Sequence, residues 1–173
     1  MKKIILLSFL ILSIAAVNAQ DKELTRKEKK AQREAMLTEQ TKQLVETNEW
    51  QFYASQMIPA NGISRNLSTP YSVVLQDETV DSYLPYIGEA YTSQYGSNES
   101  PLIFEKPVED YSIEDAKKDG YTIKFSAKNN NDKIDFTFYI TKTGSASLRV
   151  TSINRQSISY HGELVPVEEK ENL

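Results

Sequence analysis

The C-terminal third of the chain alternates apolar and polar residues, which is the pattern of β-strands that bury one face. Four stretches alternate in this way: residues 121–127, 134–140, 146–150 and 158–164. Turn-forming residues separate them: Asn129-Asn130-Asn131-Asp132, Thr143-Gly144 and Asn154-Arg155. The sequence therefore predicts a four-stranded antiparallel meander, which another element must cover because one of its faces is apolar.

A helix is predicted over residues 21–48, which contain no glycine or proline and are rich in Lys, Glu, Gln, Arg and Ala. Thr25 and Glu28 have the spacing of a capping box, so the ordered helix is expected to begin there. Four residues of its C-terminal half fall on one stripe: Leu37, Thr41, Leu44 and Val45. We therefore expect an α+β fold in which an N-terminal helix packs on the antiparallel sheet, while residues 22–34 remain in water.

Between the helix and the meander, the pattern predicts a strand over residues 50–58. One side of that strand carries Trp50, Phe52, Ala54 and Ile58. A loop is predicted over residues 59–70, with Ile63 and Leu67 as its anchors to the core.

Shorter strands follow at residues 71–76, 80–87 and 102–105, with a turn at residues 77–79. Pro85 places the second of these at a sheet edge or at a strand end. Residues 88–101 are expected to be irregular. Residues 107–120 are expected to form a connection with a helical turn at residues 112–118.

The N-terminus has the pattern of a signal peptide. Lys2 and Lys3 precede an apolar stretch that ends in Val17-Asn18-Ala19. A retained membrane anchor is the alternative, but the stretch is shorter than the roughly 20 residues that cross a bilayer. We expect cleavage after Ala19, release into the periplasm or the medium, and no stable membrane insertion. The predicted parts are a signal peptide (1–19), a charged helix whose start is mobile (20–48), an antiparallel β domain (49–167) and a disordered tail (168–173).

Composition excludes several kinds of function. The 173 residues include no cysteine and one histidine, His161, so disulfides, thiol catalysis, thiolate metal sites and sites with two imidazoles are absent. The formal net charge is −4 and becomes more negative without Lys2 and Lys3, which disfavours nucleic acid as a partner. No glycine-rich phosphate loop, paired-histidine motif or nucleophile elbow occurs, and we predict no cofactor.

Two segments resemble a known family. They are Leu84-Pro85-Tyr86-Ile87-Gly88-Glu89-Ala90-Tyr91 and Asn154-Arg155-Gln156-Ser157-Ile158-Ser159-Tyr160-His161-Gly162. From about residue 50 to residue 166 the chain resembles an exported bacterial family catalogued as Domain of Unknown Function 4251. The resemblance implies an exported domain typical of gut-dwelling Gram-negative anaerobes, and it implies no activity, substrate or catalytic residue.

A cluster of tyrosines is the first candidate ligand site. Tyr83, Tyr86, Tyr91 and Tyr95 lie close together in the sequence, and each offers a flat apolar ring with a hydroxyl. Such rings suit a platform for a sugar or a peptide. The alternative is that they cover the core and satisfy their hydroxyls on loop backbone.

Arg155, at the corner before the last strand, is the second candidate. Its guanidinium could bind a carboxylate or phosphate of a ligand, or it could form a structural salt bridge that holds the corner together. His161 is expected on the polar face of its strand, without a nucleophile setting around it. The acidic clusters, such as Glu114, Asp115 and Asp119, have neither the ligand pattern of a calcium loop nor a diagnostic metal spacing.

These observations favour an exported, noncatalytic binding or structural module of the bacterial envelope. Its tyrosine segment and Arg155 would contact a protein, peptide, glycan or other envelope component. One alternative is an envelope glycoside hydrolase that uses two carboxylates such as Asp77 and Glu89 across a cleft. Another is an inhibitor-like protein that offers an exposed strand edge near residues 80–85.

Overall fold

The computed structural model describes residues 25–91, 100–117 and 119–167. The predicted signal peptide, residues 20–24 of the charged helix and the predicted tail lie outside the described residues. The described residues fall into two units, one up to Ala35 and one from Met36 onward. The described elements are α1 (Arg26–Thr47), β1 (Trp50–Ile58), β2 (Arg65–Gln76), β3 (Thr79–Tyr83), β4 (Ile103–Pro107), β5 (Glu109–Ala116), β6 (Gly120–Asn129), β7 (Asp132–Ile140), β8 (Ser145–Ser152) and β9 (Arg155–Val165).

Helix α1 begins at the predicted capping box. The backbone N–H of Thr25 donates to Glu28 Oε2 at 2.8 Å, and the backbone N–H of Glu28 donates to Thr25 Oγ1 at 3.3 Å. These bonds satisfy two of the free N–H groups at a helix start. Hydrogen bonds from the Thr25 backbone and side chain also lower the pKa of Glu28.

The C-terminal half of α1 buries the predicted stripe. Thr41, Leu44 and Val45 are buried, and Leu37 is half-buried. Thr41 Oγ1 donates to Leu37 O at 2.7 Å and lies beside Gly144, in the turn between β7 and β8. The helix ends at Thr47, and Asn48 follows in the left-handed conformation with φ of 57°.

The strands form one antiparallel sheet, which has nine strands within the described residues, in the order β4-β3-β2-β1-β9-β8-β7-β6-β5. The predicted meander is present as β6 to β9, and its first turn joins Asn129 to Asp132 as expected. The predicted α+β class is confirmed. The sheet is larger than a four-stranded meander. Strands β1 to β4 extend it beyond β9, and β5 extends it beyond β6.

The sheet curls and covers much of its own apolar face. Phe104 on β4 and Phe136 on β7 stand six positions apart in the strand order, which is about 29 Å in a flat sheet. Their ring centroids are 6.2 Å apart. Asn129 at the end of β6 also donates its side-chain N–H to Pro101 O, just before β4, at 3.1 Å. We expected α1 to cover the apolar face of the sheet. The sheet itself covers much of that face, because its two halves pack against each other.

Strand β5 replaces the predicted connection and helical turn. Residues from Ser112 to Ala116 pair with β6, and a bulge separates them from the pair formed by Glu109 and Ser126. Asp110 within this bulge has φ of 54°. The prediction of a helical turn at residues 112–118 was wrong because pairing with the β6 backbone outweighs the local preference.

Strands β1 and β2 also differ in detail from the prediction. A bulge between Ala54 and Gln56 shifts the alternation, so Met57 is buried and Ile58 is only half-buried. β2 begins at Arg65, which shortens the predicted loop. Within that loop Ile63 is 61% exposed and anchors nothing, whereas Leu67 packs partly against the core as predicted.

Strand β3 lies inside the sheet. It pairs with β2 on one side and with β4 on the other over residues 79–83. The prediction of an unpaired strand edge near residues 80–85 was therefore wrong, and β4 and β5 are the end strands of the described sheet. Pro85 stands just beyond the end of β3, where it removes no ladder hydrogen bond.

Candidate functional site

The two segments that carried the family resemblance meet in space. The backbone N–H of Tyr91 donates to Asn154 O at 2.8 Å, and the N–H of Gln156 donates to Glu89 O at 3.0 Å. Ala90 and Arg155 form an isolated antiparallel bridge between these bonds. We call residues 84–91 together with residues 154–160 the clasp.

Side chains strengthen the clasp. The Tyr86 hydroxyl lies 3.0 Å from Gln156 O and 3.3 Å from Glu89 O, both carbonyl acceptors. The carboxamide of Gln156 in turn accepts from the Glu89 N–H at 3.2 Å and donates to Glu89 Oε2 at 3.1 Å. Tyr160, which is fully buried, donates to Pro85 O at 2.6 Å. Burial raises the pKa of both Tyr86 and Tyr160, so both phenols remain hydrogen-bond donors at neutral pH.

Two glycines of the clasp region are explained by close approach. A Cβ on Gly88 would lie 2.5 Å from the Tyr86 hydroxyl, so a side chain there would push that ring from its place. A Cβ on Gly162 would overlap the carbonyl of Tyr53 in β1. Glycine is required at Gly162 because the overlap is with backbone, whereas at Gly88 the overlap is with the end of a side chain that would have to move.

Arg155 forms the structural ion pair that was one of its two predicted roles. Its Nε lies 3.3 Å from Oδ2 of Asp132, whose side chain is 3% exposed. The same carboxylate accepts from Ser152 Oγ at 2.6 Å and from Asn154 Nδ2 at 3.0 Å. A buried carboxylate needs such partners, and here they tie the β6–β7 turn to the β8–β9 turn.

Large apolar side chains stand exposed around the clasp. Tyr91 is 65% exposed, Ile87 38% and Ile153 81%. We call these three residues the apolar rim, since the bond from Tyr91 to Asn154 brings Ile153 beside the segment that carries the other two. Tyr83 is 45% exposed and stacks on Tyr71 at a centroid distance of 5.3 Å. Of the predicted site residues, Tyr86, Tyr91 and Arg155 thus come together, Tyr83 lies at the end of β3, and Tyr95 lies outside the described residues.

Both segments of the clasp fall within residues 32–164, which match the family model described as "Domain of unknown function (DUF4251)". The chain belongs to the DUF4251 family. A crystal structure of a DUF4251 family protein from Bacteroides eggerthii DSM 20697 is similar to it, with a TM-score of 0.57 and 15% sequence identity. The likeness covers 76% of this chain and 89% of that chain, and it shows a shared fold. No curated protein matches the chain.

The DUF4251 domain does not bring together the carboxylates proposed for glycoside hydrolysis. Asp77 lies in the β2–β3 turn, at the end of the sheet where Trp50 pairs with Leu75. Glu89 contacts Gln156, near the end where Ile58 pairs with Ser159. This particular pair therefore cannot face one glycosidic bond.

Other chemistry is sparse among the described residues of the DUF4251 domain. No three Asp, Glu or His side chains there lie close enough together to hold a metal ion. His161 Nδ1 is 2.8 Å from Ser147 Oγ on the exposed face of the sheet, a contact that sequence reasoning missed because the serine lies on the neighbouring strand. No described helix is both long and apolar enough to span a membrane.

Sequence reasoning also missed a groove at the opposite end of the sheet from the clasp. Its volume is about 1230 Å³, and it lies beside the last turns of α1 and the ends of β1, β2 and β3. Among the residues that line it are Gln43, Leu44, Gln51, Val74, Asp81 and Glu105. These residues come from α1 and four strands, so they meet only in the folded chain.

Proposed function

We propose that this DUF4251 protein is an exported, noncatalytic binding module of the bacterial envelope, and that the apolar rim is its contact surface. The observation that carries the proposal is the exposure of Ile87, Tyr91 and Ile153 on two segments that the hydrogen bonds of the clasp join. Exposed apolar side chains on neighbouring segments, unlike scattered ones, are typical of interaction surfaces.

The rigidity of the clasp supports this role. Hydrogen bonds from Tyr86, Gln156 and the backbone of Tyr91 fix the segment before any partner arrives. A preformed surface loses less conformational entropy on binding than a mobile loop. The clasp hydrogen bonds therefore act as scaffold, while the side chains that point away from them remain available.

The partner that the rim favours is a protein or peptide surface. Tyrosine suits both sugars and proteins, but the two isoleucines gain free energy mainly by covering apolar surface. A sugar presents hydroxyls that aliphatic side chains cannot satisfy. Arg155 contributes indirectly in this proposal, because its pairing with Asp132 holds the β8–β9 turn that carries Ile153.

Export rests on the N-terminal signal pattern. Lys2, Lys3 and the apolar stretch up to Ala19 support cleavage and release into the periplasm or the medium. The absence of cysteine agrees with that location. An intact N-terminus on protein recovered from its native cells would contradict it.

Photo-crosslinking tests the rim. A photoreactive amino acid replaces Tyr91 in one variant and Tyr139, which is 53% exposed on β7, in the control. We expect a discrete crosslinked protein in native envelopes from position 91 alone, and we expect Ile87→Ser with Ile153→Ser to abolish it. The same products from both positions, or products that survive the serine substitutions, would overturn the proposal.

A sedimentation assay with purified cell-wall sacculi separates the glycan alternative. Because the rim residues are exposed, Tyr91→Ala should leave the urea midpoint of unfolding unchanged. If Tyr91→Ala prevents sedimentation with sacculi and peptide-free glycan strands compete for the protein, the partner is a glycan and the protein-surface assignment is wrong.

A further inference from the structure

We propose a second binding site, the groove beside α1, which takes a short basic peptide in an extended conformation. The site is independent of the rim, since it lies at the other end of the sheet. Three features point to it: a row of side chains across four strands, an amide that faces the groove, and carboxylates without a cationic partner.

The row follows directly from the strand register. Gln51 on β1 is opposite Val74 on β2, Val74 is opposite Asp81 on β3, and Asp81 is opposite Glu105 on β4. All four residues line the groove. From β1 to β4 the row crosses three strand spacings, about 14 Å, which an extended peptide of four or five residues covers.

Asp81 and Glu105 form an unfavourable pair in the free protein. Like charges directly opposite one another on neighbouring strands destabilise a sheet. Glu49 and Asp77 add two more carboxylates to the lining, and no Lys or Arg is among the described residues that line the groove. None of these four carboxylates forms a salt bridge within the described residues. A bound cationic group would remove the repulsion.

Gln51 provides the second, independent sign of a ligand. The residue is 8% exposed and lines the groove, and its side chain makes no hydrogen bond with the described residues. Its amide is open to the groove, so a ligand that enters the groove can hydrogen-bond to it in place of water. A carboxamide presents one acceptor and two donors, which match the C=O and N–H of a peptide backbone.

The spread of the carboxylates favours a peptide over smaller cations. Among the described residues no three acidic side chains lie close enough together for a metal ion. Lysine or arginine side chains spaced along an extended backbone reach Asp81 and Glu105 while the backbone meets Gln51. Leu44 and Pro166 give the groove apolar walls for the aliphatic parts of those side chains.

Binding of fluorescein-labelled tetralysine to the purified protein, followed by fluorescence polarisation, tests the proposal. We expect saturable binding that weakens with salt, and no comparable binding of labelled tetra-alanine. Asp81→Asn with Glu105→Gln should weaken binding at least tenfold. It should also leave the melting temperature unchanged or raise it, because the like-charge pair is removed.

The matched control carries the same change in charge elsewhere. Asp115→Asn with Asp135→Asn alters two exposed carboxylates on β5 and β7, outside the groove lining. We expect it to weaken tetralysine binding less than twofold. Equal weakening by both double variants, or no saturable binding, would overturn the proposal.

Gln51→Ala separates a peptide from other polycations. It should weaken tetralysine binding several-fold and leave spermine, which has the charges without the peptide groups, unaffected. Equal effects on both probes, or no effect on tetralysine, would contradict the peptide assignment. Substitutions in the rim should change neither result, so the failure of one proposal is distinguishable from failure of the other.

Discussion

At the scale of single residues, Tyr111 shows how burial tunes a side chain in this fold. Its hydroxyl donates to Asn48 Oδ1 at 2.6 Å, and its ring stacks on Phe125 with centroids 6.3 Å apart. Burial raises the pKa of Tyr111 to about 12. The nearby indole N–H of Trp50 lowers the pKa of Tyr111 and so offsets part of that rise. This N–H is not within hydrogen-bonding geometry of any acceptor among the described residues.

This pKa predicts a loss of stability at alkaline pH. An unfolded phenol ionises near pH 10, whereas folded Tyr111 keeps its proton to about 12. Its contribution is therefore complete below pH 10 and declines as the pH rises from 10 to 12. We expect Tyr111→Phe to cost about 1 kcal/mol at pH 7, through the lost hydrogen bond, and to lessen the decline above pH 10.

Urea unfolding at pH 8, 10 and 11 measures this effect. Tyr139→Phe controls for the loss of a phenol as such, since Tyr139 is 53% exposed on the outer face of β7. An alkaline decline as steep in Tyr111→Phe as in the unchanged protein would contradict the prediction.

At the scale of elements, the local pattern identified α1 and strands β6 to β9 because each has a regular period. Thr25 with Glu28 marked the start of α1, and the alternation around Phe136 and Phe138 marked β7. The local pattern did not predict β5, because an end strand with one neighbour buries few side chains. The residues of β5 are mostly half-buried or exposed. Its pairing with β6 is a long-range effect that local propensity does not contain.

One of the two candidate sites could be predicted from the local sequence, and the other could not. The sequence indicated Tyr86, Tyr91 and Arg155 as one region because they belong to two recognisable segments, and the structure brings those segments into contact. The groove that Gln51 and Glu105 line could not be predicted from the sequence. The residues that line it share no motif, and the register of four strands brings them together. Periodicity gives the face of a strand, but the order of the strands has to be observed.

Gly162 holds two elements together, and its substitution should separate them. A Cβ there would overlap the backbone carbonyl of Tyr53, so Gly162→Ala must push β9 from β1. We expect a cost of about 3 kcal/mol by urea unfolding. Hydrogen exchange should show the largest loss of protection where Ala54 and Gly162 pair.

Gly62→Ala is the matched control. Gly62 has φ of 77°, which strains any other residue, but its surroundings are open. That strain alone should cost about 1 kcal/mol. Equal costs for the two glycine substitutions would show that the approach of β1 to β9 does not require glycine.

At the scale of the whole described sheet, the core forms because the sheet curls and its apolar face packs against itself. Trp50 on β1 contacts Phe138 on β7 at a centroid distance of 4.9 Å, and Phe104 on β4 contacts Phe136 at 6.2 Å. Both contacts cross strands that lie between the partners in the sheet order. The apolar face that a flat meander would leave bare is thus buried against itself, which leaves the outer face and the two ends of the sheet for the clasp and the groove.

The contact between Phe104 and Phe136 should therefore contribute energy although the two strands stand six positions apart. In a double-mutant cycle with Phe104→Leu and Phe136→Leu, we expect a coupling free energy of about 1 kcal/mol, measured by urea unfolding. Each single substitution removes an edge-to-face aromatic contact, so the second costs less once the first is made. In the control cycle Phe104→Leu is combined with Tyr139→Leu, on the outer face of β7, and the two costs should add to within about 0.5 kcal/mol. Additive costs for Phe104 and Phe136 would mean that the curl places these rings together without either stabilising the other.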